Sequence, residues 1–226
     1  MAVASNFTAP MKVLAAEFER ASSHRVKLAF GSSGKLYAQI KNGAPFQVLF
    51  SADQAKPIAL EEAGLAVPGS RFTYAIGALA LWSPRADLSE AAVRRRLSGK
   101  LALANPRLAP YGVASIEVLA NLELEEKTRA NWVRGENIAQ TFQFVDSGNA
   151  DVGFVALSQV MEKGEIKKGS AWIIPPKLYR PIRQDAVLLS SAKDNSAAYE
   201  LLKFMRGPKA KNIIHSFGYL TGPPAS

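Results

Sequence analysis

The sequence predicts an α/β protein built from two lobes that are joined by two crossing strands. Short apolar stretches alternate with small polar loops and amphipathic segments, a pattern typical of α/β folds with largely parallel sheets. Two longer apolar stretches, at residues 72–82 and 185–191, have no helical period and bracket a middle portion with its own strands and helices. We therefore expect each lobe to be a mixed, mostly parallel sheet flanked by helices.

The two crossing stretches divide the chain into lobes. The first lobe is expected to hold residues 1–74 and 191–226, and the second residues 75–190 together with the crossing strands. Two lobes joined in this way leave a cleft between them, which is a common place for a small-molecule site.

The first lobe is predicted to repeat strand, loop and helix three times. Apolar residues recur at helical spacing after Pro10, which suits a first helical turn. Gly43 and Gly64 follow the second and third predicted helices, where glycine commonly ends a helix. The predicted elements are strands at residues 2–4, 26–30 and 46–50, and helices at residues 10–18, 36–40 and 55–63.

The same patterns continue through the rest of the chain. Strands are predicted at residues 101–104 and 152–155, helices at residues 112–122 and 138–147, and further helices after residue 191.

The composition excludes several classes of protein. The chain contains no cysteine, which rules out disulfides, thiolate metal sites and cysteine nucleophiles. Its apolar runs all fall short of the roughly 18 residues of a membrane span, so we expect a protein that is not integral to the membrane. The first residues lack the basic start and apolar core of a signal peptide, so the protein is either cytoplasmic or exported with its leader removed.

The net charge of +9 suits either nucleic acid or an anionic small ligand. Most basic residues are scattered along predicted helix faces, and the arginine run at residues 94–96 is typical of a solvated helix end. Phe72, Tyr74 and Trp82 lie in an apolar crossing stretch, which favours burial over base stacking. Nucleic-acid binding is therefore the weaker alternative, and no nucleic-acid partner is expected.

Polar residues follow the first two predicted strands and lead directly into helices. Ser5-Asn6 comes after the first strand and Gly31-Ser-Ser-Gly34 after the second. A helix start exposes unpaired backbone N–H groups and a partial positive charge, so it can bind an anion without a formal cation. In open α/β sheets, ligands sit at the carboxyl ends of the strands, where both loops fall. Either loop alone is better explained by a serine or asparagine that caps its own helix.

The middle portion supplies two candidates of the same kind. Tyr111 stands just before a predicted helix, and Ile138 opens another helix and offers its backbone N–H. A half-buried aromatic ring and a core-packing isoleucine are the structural alternatives for these residues. A ligand held by hydroxyl groups and helix-start amides from both lobes would be a small anion that accepts hydrogen bonds on every side.

An ordered series of motifs along almost the whole chain resembles the periplasmic molybdate-binding proteins of ABC transporters. Each motif alone is unspecific, whereas the ordered series is specific. The motifs are Val3-Ala-Ser-Asn-Phe7, Gly31-Ser-Ser-Gly34, Tyr37-Ala-Gln-Ile40, Asn42-Gly-Ala-Pro45, Phe50-Ser-Ala-Asp53, Pro68-Gly-Ser-Arg-Phe-Thr-Tyr-Ala-Ile-Gly77, Asn105-Pro106, Ala109-Pro-Tyr-Gly112 and Ser147-Gly-Asn-Ala-Asp-Val-Gly-Phe-Val-Ala-Leu157.

The resemblance implies a two-lobed, type II periplasmic-binding-protein fold that binds molybdate or tungstate between the lobes and delivers it to a membrane permease. It implies that Ser5, Asn6 and Ser33 are first-lobe ligands. Tyr111 and the backbone N–H of Ile138 would be their second-lobe counterparts. We expect a periplasmic monomer with no cofactor and with no metal held directly by side chains, since the metal enters as an oxyanion.

This sequence departs from the family pattern in two ways. The first strand is short, so we expect that a leader and a few residues have been removed, and the basic charge exceeds what one dianion requires.

Another oxyanion is the main rival as a ligand. Molybdate at neutral pH is a dianion with no proton to donate, so its site should contain donors only, and every candidate group is a donor. Sulfate has the same charge and shape but is smaller, and phosphate benefits from a carboxylate that accepts its proton. Asp53 is the acid to examine, and we interpret it as structural, bonding loop amides.

An enzyme, such as a serine-dependent transferase, is the other alternative. The Gly-Ser-Ser-Gly loop lacks the Lys-Ser/Thr ending of a P-loop, and the chain has no Gly-x-Ser-x-Gly elbow. His24 and His215 have no neighbour at ligand spacing, so a general base is not apparent and no catalytic residue is expected.

Overall fold

Two mixed β-sheets flanked by helices form the protein, which confirms the predicted α/β class. The structure is a computed structural model that describes residues 1–85, 88 and 99–221. The described strands are β1 (Ala2–Ala4), β2 (Ala29–Gly31), β3 (Val48–Phe50), β4 (Phe72–Gly77), β5 (Leu79–Ser83), β6 (Leu101–Ala104), β7 (Trp132–Gly135), β8 (Val152–Ala156), β9 (Met161–Glu162), β10 (Glu165–Ile166), β11 (Ser170–Ile173) and β12 (Ile182–Leu188).

Helices of very different length connect these strands. The described α-helices are α1 (Thr8–Ala21), α2 (Ser33–Lys41), α3 (Ala55–Glu62), α4 (Pro110–Asn121), α5 (Glu125–Thr128), α6 (Ile138–Asp146), α7 (Leu157–Val160), α8 (Ser196–Arg206) and α9 (Pro208–Ser216). Short 3₁₀ turns are found at Ser5–Phe7, Arg129–Asn131, Pro176–Leu178 and Ser190–Ala192.

The first sheet has the strand order β2-β1-β3-β12-β4. β1 pairs in parallel with β2 and β3, whereas β12 runs antiparallel to both β3 and β4. Every residue of β1 and β3 is buried, as expected for strands covered on both faces. Apolar residues of α1, α8 and α9 pack in one core cluster with this sheet, and those of α2 and α3 pack in another.

The second sheet has the strand order β11-β5-β8-β6-β7. β6 is parallel to β7 and β8, and the antiparallel pairs are β5 with β8 and β11 with β5. Tyr111, Val118 and Leu119 of α4 pack in one core cluster of this sheet, and Val145 of α6 packs in another with Trp82. Each of these two sheets has two parallel and two antiparallel strand pairs, and the antiparallel pairs all involve β12 or β5.

The crossing strands differ most from the sequence prediction. The stretch 72–82 forms two strands, β4 and β5, which belong to different sheets and are separated by Ala78. The second crossing strand begins at Ile182 rather than at residue 185. β4 and β12 pair with each other and belong to the first sheet. The strands of the second sheet all lie between them in the chain, within residues 79–173. The lobe boundaries after residues 74 and 190 stay a prediction.

β1 and β6 have the predicted bounds, and the other predicted elements are found with shifted ends. The second and third strands are shorter than predicted, and α1 and α4 begin two residues earlier, at Thr8 and Pro110. β7 and β11 were not predicted. The arginine run at residues 94–96 lies outside the described residues. Across residues 1–85, 88 and 99–221, no helix has the length and apolar character needed to cross a membrane.

Candidate functional site

One small cavity brings all five predicted ligand residues together. It lies where strands of the first sheet end and where helices α4 and α6 of the second sheet begin, and its volume is about 10 Å³. The lining residues are Ala4, Ser5, Asn6, Gly31, Ser32, Ser33, Ala52, Ala109, Pro110, Tyr111 and Ile138. The five predicted residues are each at most 6% exposed. Any molecule held here would therefore be small and enclosed by groups from both sheets.

Ser33 enters the cavity at the start of α2. The side chain of Ser32 caps this helix by accepting the backbone N–H of Lys35, with an N–O distance of 3.3 Å. The Oγ of Ser33 accepts the backbone N–H of Ala52 at 2.9 Å. With its oxygen engaged in this way, the Ser33 hydroxyl retains its proton for donation to a ligand.

Ser5 and Asn6 lie in the 3₁₀ turn that follows β1. Both hydrogens of the Asn6 side-chain amide are engaged, because its Nδ2 donates to Gln184 Oε1 at 2.8 Å and to Tyr219 Oη at 2.9 Å. Both side-chain hydrogens of Asn6 are therefore directed to a buried network. Its backbone N–H, at the start of a helical turn, is the donor that remains for an anion.

Tyr111 reaches the cavity from the first turn of α4 and is 1% exposed. Its Oη accepts the side-chain N–H of Gln184 at 3.1 Å. Burial raises the pKa of Tyr111 well above its usual value of 10.0. The phenol is therefore neutral at physiological pH and has one proton to donate.

Ile138 is the first residue of α6, and its backbone N–H lacks a partner within the helix. The Oδ1 of Asn137 accepts the next two amides, those of Ala139 and Gln140, each at 3.0 Å. The side chain of Ile138 is buried in the core, as the structural alternative proposed. Its amide is thus placed at the cavity by a capped helix start.

A buried polar network, formed by Asn6, Tyr74, Ser158, Gln184 and Tyr219, lies behind the cavity. Gln184 is fully buried, and its Oε1 accepts both the Asn6 amide and the Tyr74 hydroxyl, the latter at 3.0 Å. The hydroxyls of Ser158 and Tyr219 each donate to the backbone oxygen of Asn6 at 2.9 Å. The network therefore joins the first sheet, the second crossing strand and the start of α7.

Of these five network residues, only Asn6 was predicted to be part of the site. Ser158 carries a signal similar to that of Ser5, since it is a polar residue two positions after the end of a buried strand. Gln184 stands out as a buried amide within an apolar strand, but its role depends on which residues meet it across the chain. Tyr74 and Tyr219 give no local signal.

The cleft is closed by direct contacts on either side of the cavity. The backbone N–H of Gly34 in α2 donates to the Leu108 oxygen at 3.0 Å. The ammonium of Lys35 pairs with the Glu136 carboxylate at 3.2 Å, and both side chains are partly exposed at the cleft edge. The start of α2 is therefore held against the residues that precede α4 and α6.

The cavity lining is electrically neutral and carries hydroxyl and backbone N–H groups. Asp53 lies outside it, in a wider cavity of about 410 Å³ that shares Ala52, Ala109 and Pro110 with the small one. Its carboxylate accepts the Lys56 backbone N–H and the Ser51 hydroxyl, each at 3.1 Å, in agreement with a structural role. Within the described part of the chain, no group of three or more His, Cys, Asp or Glu residues could hold a metal ion.

Comparisons with known proteins show which family the chain resembles. The family model of bacterial extracellular solute-binding proteins matches residues 1–220. The molybdate-binding protein ModA of Azotobacter vinelandii is 50% identical over 222 residues, which cover 97% of this chain and 88% of the relative. The molybdate-binding protein ModA of Rhodobacter capsulatus is 47% identical and covers 97% of this chain and 87% of its own length.

Solved structures show the same fold. The periplasmic molybdate-binding protein of Azotobacter vinelandii superposes with a TM-score of 0.92 at 41% identity, covering 98% of this chain and 99% of the other. The sulfate-binding protein SubI of Mycobacterium tuberculosis, at 11% identity and a TM-score of 0.75, covers 99% of this chain and 86% of its own and shares the fold. With a family model that spans nearly its whole length, the chain belongs to the bacterial extracellular solute-binding proteins.

Proposed function

We propose that the protein binds molybdate in the small cavity between its two sheets and delivers it to the membrane permease of an ABC transporter. Two relatives at 50% and 47% identity, both matched over 97% of this chain, carry the name molybdate-binding protein. The family is one of extracellular solute-binding proteins, so the site of action is the periplasm.

The observation that carries this proposal is a neutral cavity whose polar groups donate. Ser33 and Tyr111 each accept one N–H from the protein and keep a hydroxyl proton, and the amide of Ile138 opens a helix. The hydroxyl of Ser5 and the backbone N–H of Asn6 complete the proposed ligand set. A dianion without a proton needs such a set, whereas a hydrogen phosphate also needs an acceptor for its proton.

Capture by closure is the mechanism that the contacts support. An anion bridging donors of residues 1–74 and 191–226 with donors of residues 75–190 would stabilise the closed form over an open one. We propose that the permease recognises this closed form of a monomer.

The remaining assignments follow from the same site. Tungstate is proposed as a second ligand, because it is a tetrahedral dianion like molybdate. The protein is proposed to need no cofactor and to catalyse no reaction, and no nucleic acid is proposed as a partner. Tyr74 and Trp82, at 3% and 1% exposure, are too deeply buried to stack on bases.

Calorimetric titration of the purified protein with molybdate, tungstate, sulfate and phosphate tests the proposal. We expect tight binding of molybdate and tungstate at a stoichiometry of one, and much weaker binding of sulfate and phosphate. Tight sulfate binding with none of molybdate would contradict it.

A further inference from the structure

Gln184 is a buried amide that touches the cavity only through another residue. It lies on β12, is fully buried, and has no surface in the cavity lining. The oxygen and nitrogen of its side-chain amide form hydrogen bonds with residues from three separate parts of the chain, namely Asn6, Tyr74 and Tyr111.

The orientation of this amide is dictated by its neighbours. Its oxygen accepts the Nδ2 of Asn6 at 2.8 Å and the hydroxyl of Tyr74 at 3.0 Å. The Tyr74 hydroxyl has a second acceptor, the Ser51 backbone oxygen at 3.1 Å, so the Asn6 amide is the donor that orients Gln184. The Gln184 nitrogen then faces Tyr111, at 3.1 Å.

This orientation decides what Tyr111 can do. A phenol has one proton, and its oxygen here already accepts the N–H of Gln184. Its neighbour Tyr219 accepts from Asn6 and donates to the Asn6 backbone oxygen. Tyr111 also hydrogen-bonds to Tyr219, so its single proton can go either to Tyr219 or to an anion in the cavity that Tyr111 lines.

On the basis of the proposed anion site, we infer that Gln184 is a positioning residue, which makes Tyr111 a donor to the anion by occupying its oxygen with an N–H. Gln184 itself does not touch the ligand. A residue of β12, outside the cavity lining, thus sets the direction in which Tyr111 donates its hydrogen bond.

Glutamate at this position reverses the hydrogen bond. A deprotonated carboxylate has no N–H or O–H to donate, so in Gln184→Glu the Tyr111 hydroxyl would turn its proton away from the cavity and towards position 184. A protonated carboxyl group keeps one donor and one acceptor and so imitates the amide. Burial raises the pKa of a carboxyl group, which places the change within reach of a pH series.

Other titratable groups near position 184 keep their protonation state over that pH series. Burial raises the pKa of Tyr219 to about 12, and it raises the pKa of Tyr74 and of Tyr111 well above 10.0. The charged groups nearest the network are paired: Asp53 with Lys56, and Asp185 with Arg71.

The test compares molybdate affinity in wild type, Gln184→Glu and Gln184→Met between about pH 6.5 and 9, where wild-type groups of the site do not titrate. Gln184→Met removes the N–H without adding an acceptor, so we expect a loss of about tenfold that does not change with pH. Gln184→Glu should bind at least about tenfold more weakly than Gln184→Met at pH 9, and should weaken about tenfold per pH unit above the pKa of the introduced carboxyl group. Gln143→Glu, on an exposed position of α6, controls for the added charge and should leave affinity unchanged.

Equal affinities of Gln184→Glu and Gln184→Met at pH 9 would overturn the inference, because they would show a purely structural role. A second measurement does not depend on molybdate. The ¹³Cζ resonance of Tyr111, identified by its loss in Tyr111→Phe, should titrate in Gln184→Glu and stay constant in wild type. A resonance that is constant in both, with and without anion, also overturns the inference. A wild-type protein that binds no molybdate contradicts the proposed function alone.

Discussion

Ser33 and Tyr111 share one arrangement at the scale of single residues. Each hydroxyl oxygen accepts an N–H from the protein, from the Ala52 backbone in one case and from the Gln184 side chain in the other. The direction of donation is therefore built into the surroundings of each residue, and the ligand does not have to reorient it. Such pre-organisation limits the entropy lost on binding.

Removing either hydroxyl should weaken molybdate binding. Ser33→Ala and Tyr111→Phe each lose one donor to a charged ligand, for which we expect a cost of about 1.5–3 kcal/mol, or about 10- to 150-fold in affinity. Calorimetric titration measures the loss directly. Tyr199→Phe, which alters a tyrosine that is 45% exposed, is the matched control and should bind as wild type does. Wild-type affinity in both site variants would mean that the anion binds elsewhere.

The predicted site residues that carry a local sequence signal do meet at one cavity. Ser5, Ser33 and Ile138 stand at helix starts after strands or capped loops, and these positions can be recognised from the sequence. The side chain of Asn6 was expected to donate to the ligand, but the structure engages it with Gln184 and Tyr219. Those partners lie about 180 and 213 positions away, a distance that local patterns do not bridge.

Helix starts decide the geometry of the site at the scale of elements. Asn137 caps α6 through two backbone amides and so holds the amide of Ile138 at the cavity. Asn195 caps α8 through one backbone amide, that of Ala198, and is not part of the cavity lining.

The two caps give a matched pair of variants. Asn137→Ala and Asn195→Ala should each lower the free energy of unfolding by about 1 kcal/mol, since each removes an N-cap. Only Asn137→Ala should also weaken molybdate binding, because it loosens the start of α6. Chemical denaturation and calorimetric titration measure the two effects separately. If both variants keep wild-type affinity, the α6 amide is not part of the site.

Gly34 of α2 contacts Leu108, which precedes α4, and a substitution at Gly34 tests whether this contact is needed. A methyl group on Gly34 would lie 3.1 Å from the Cα and oxygen of Leu108, which is too close unless the two sides move apart. In Gly34→Ala we therefore expect weaker molybdate binding, visible as faster release in a stopped-flow experiment. The stability without ligand should be unchanged or higher, since alanine favours a helix over glycine. An unchanged release rate would show that this contact is not needed for closure.

Element prediction worked best for periodic segments and failed at edges. Helices α1, α2, α3, α4 and α6 all have apolar residues at helical spacing, and all were found. β7 and β11 are edge strands of the second sheet with partly exposed residues, so they lack the continuous apolar run that marks an inner strand. The crossing strands were found, but the sheet to which each one belongs depends on pairing between residues far apart in the sequence.

The buried tyrosines affect the whole molecule at alkaline pH. Burial raises the pKa of Tyr219 to about 12, and Tyr74 and Tyr111 are shifted in the same direction from 10.0. Above pH 10 the unfolded chain therefore loses tyrosine protons that the folded protein keeps, and unfolding becomes easier.

We accordingly expect stability to be insensitive to these groups below about pH 10 and to fall between about pH 10 and 12, by about 1.4 kcal/mol per pH unit for each tyrosine. Denaturation at a series of pH values measures the slope. Tyr219→Phe should reduce the slope, whereas Tyr199→Phe, at a 45% exposed position, should leave it unchanged. A slope that is the same in all three proteins would contradict this account.

The hydrogen bond between Asn6 and Tyr219 joins residues 213 positions apart, and Gln184 and Tyr111 meet beside it. Ribosomal synthesis and export deliver these residues one after another, so a chain without its last segment lacks part of the support behind the cavity. The ability to hold cargo is therefore acquired at the end of biogenesis. Unfinished or clipped chains should leave the anion free rather than sequester it from the transporter.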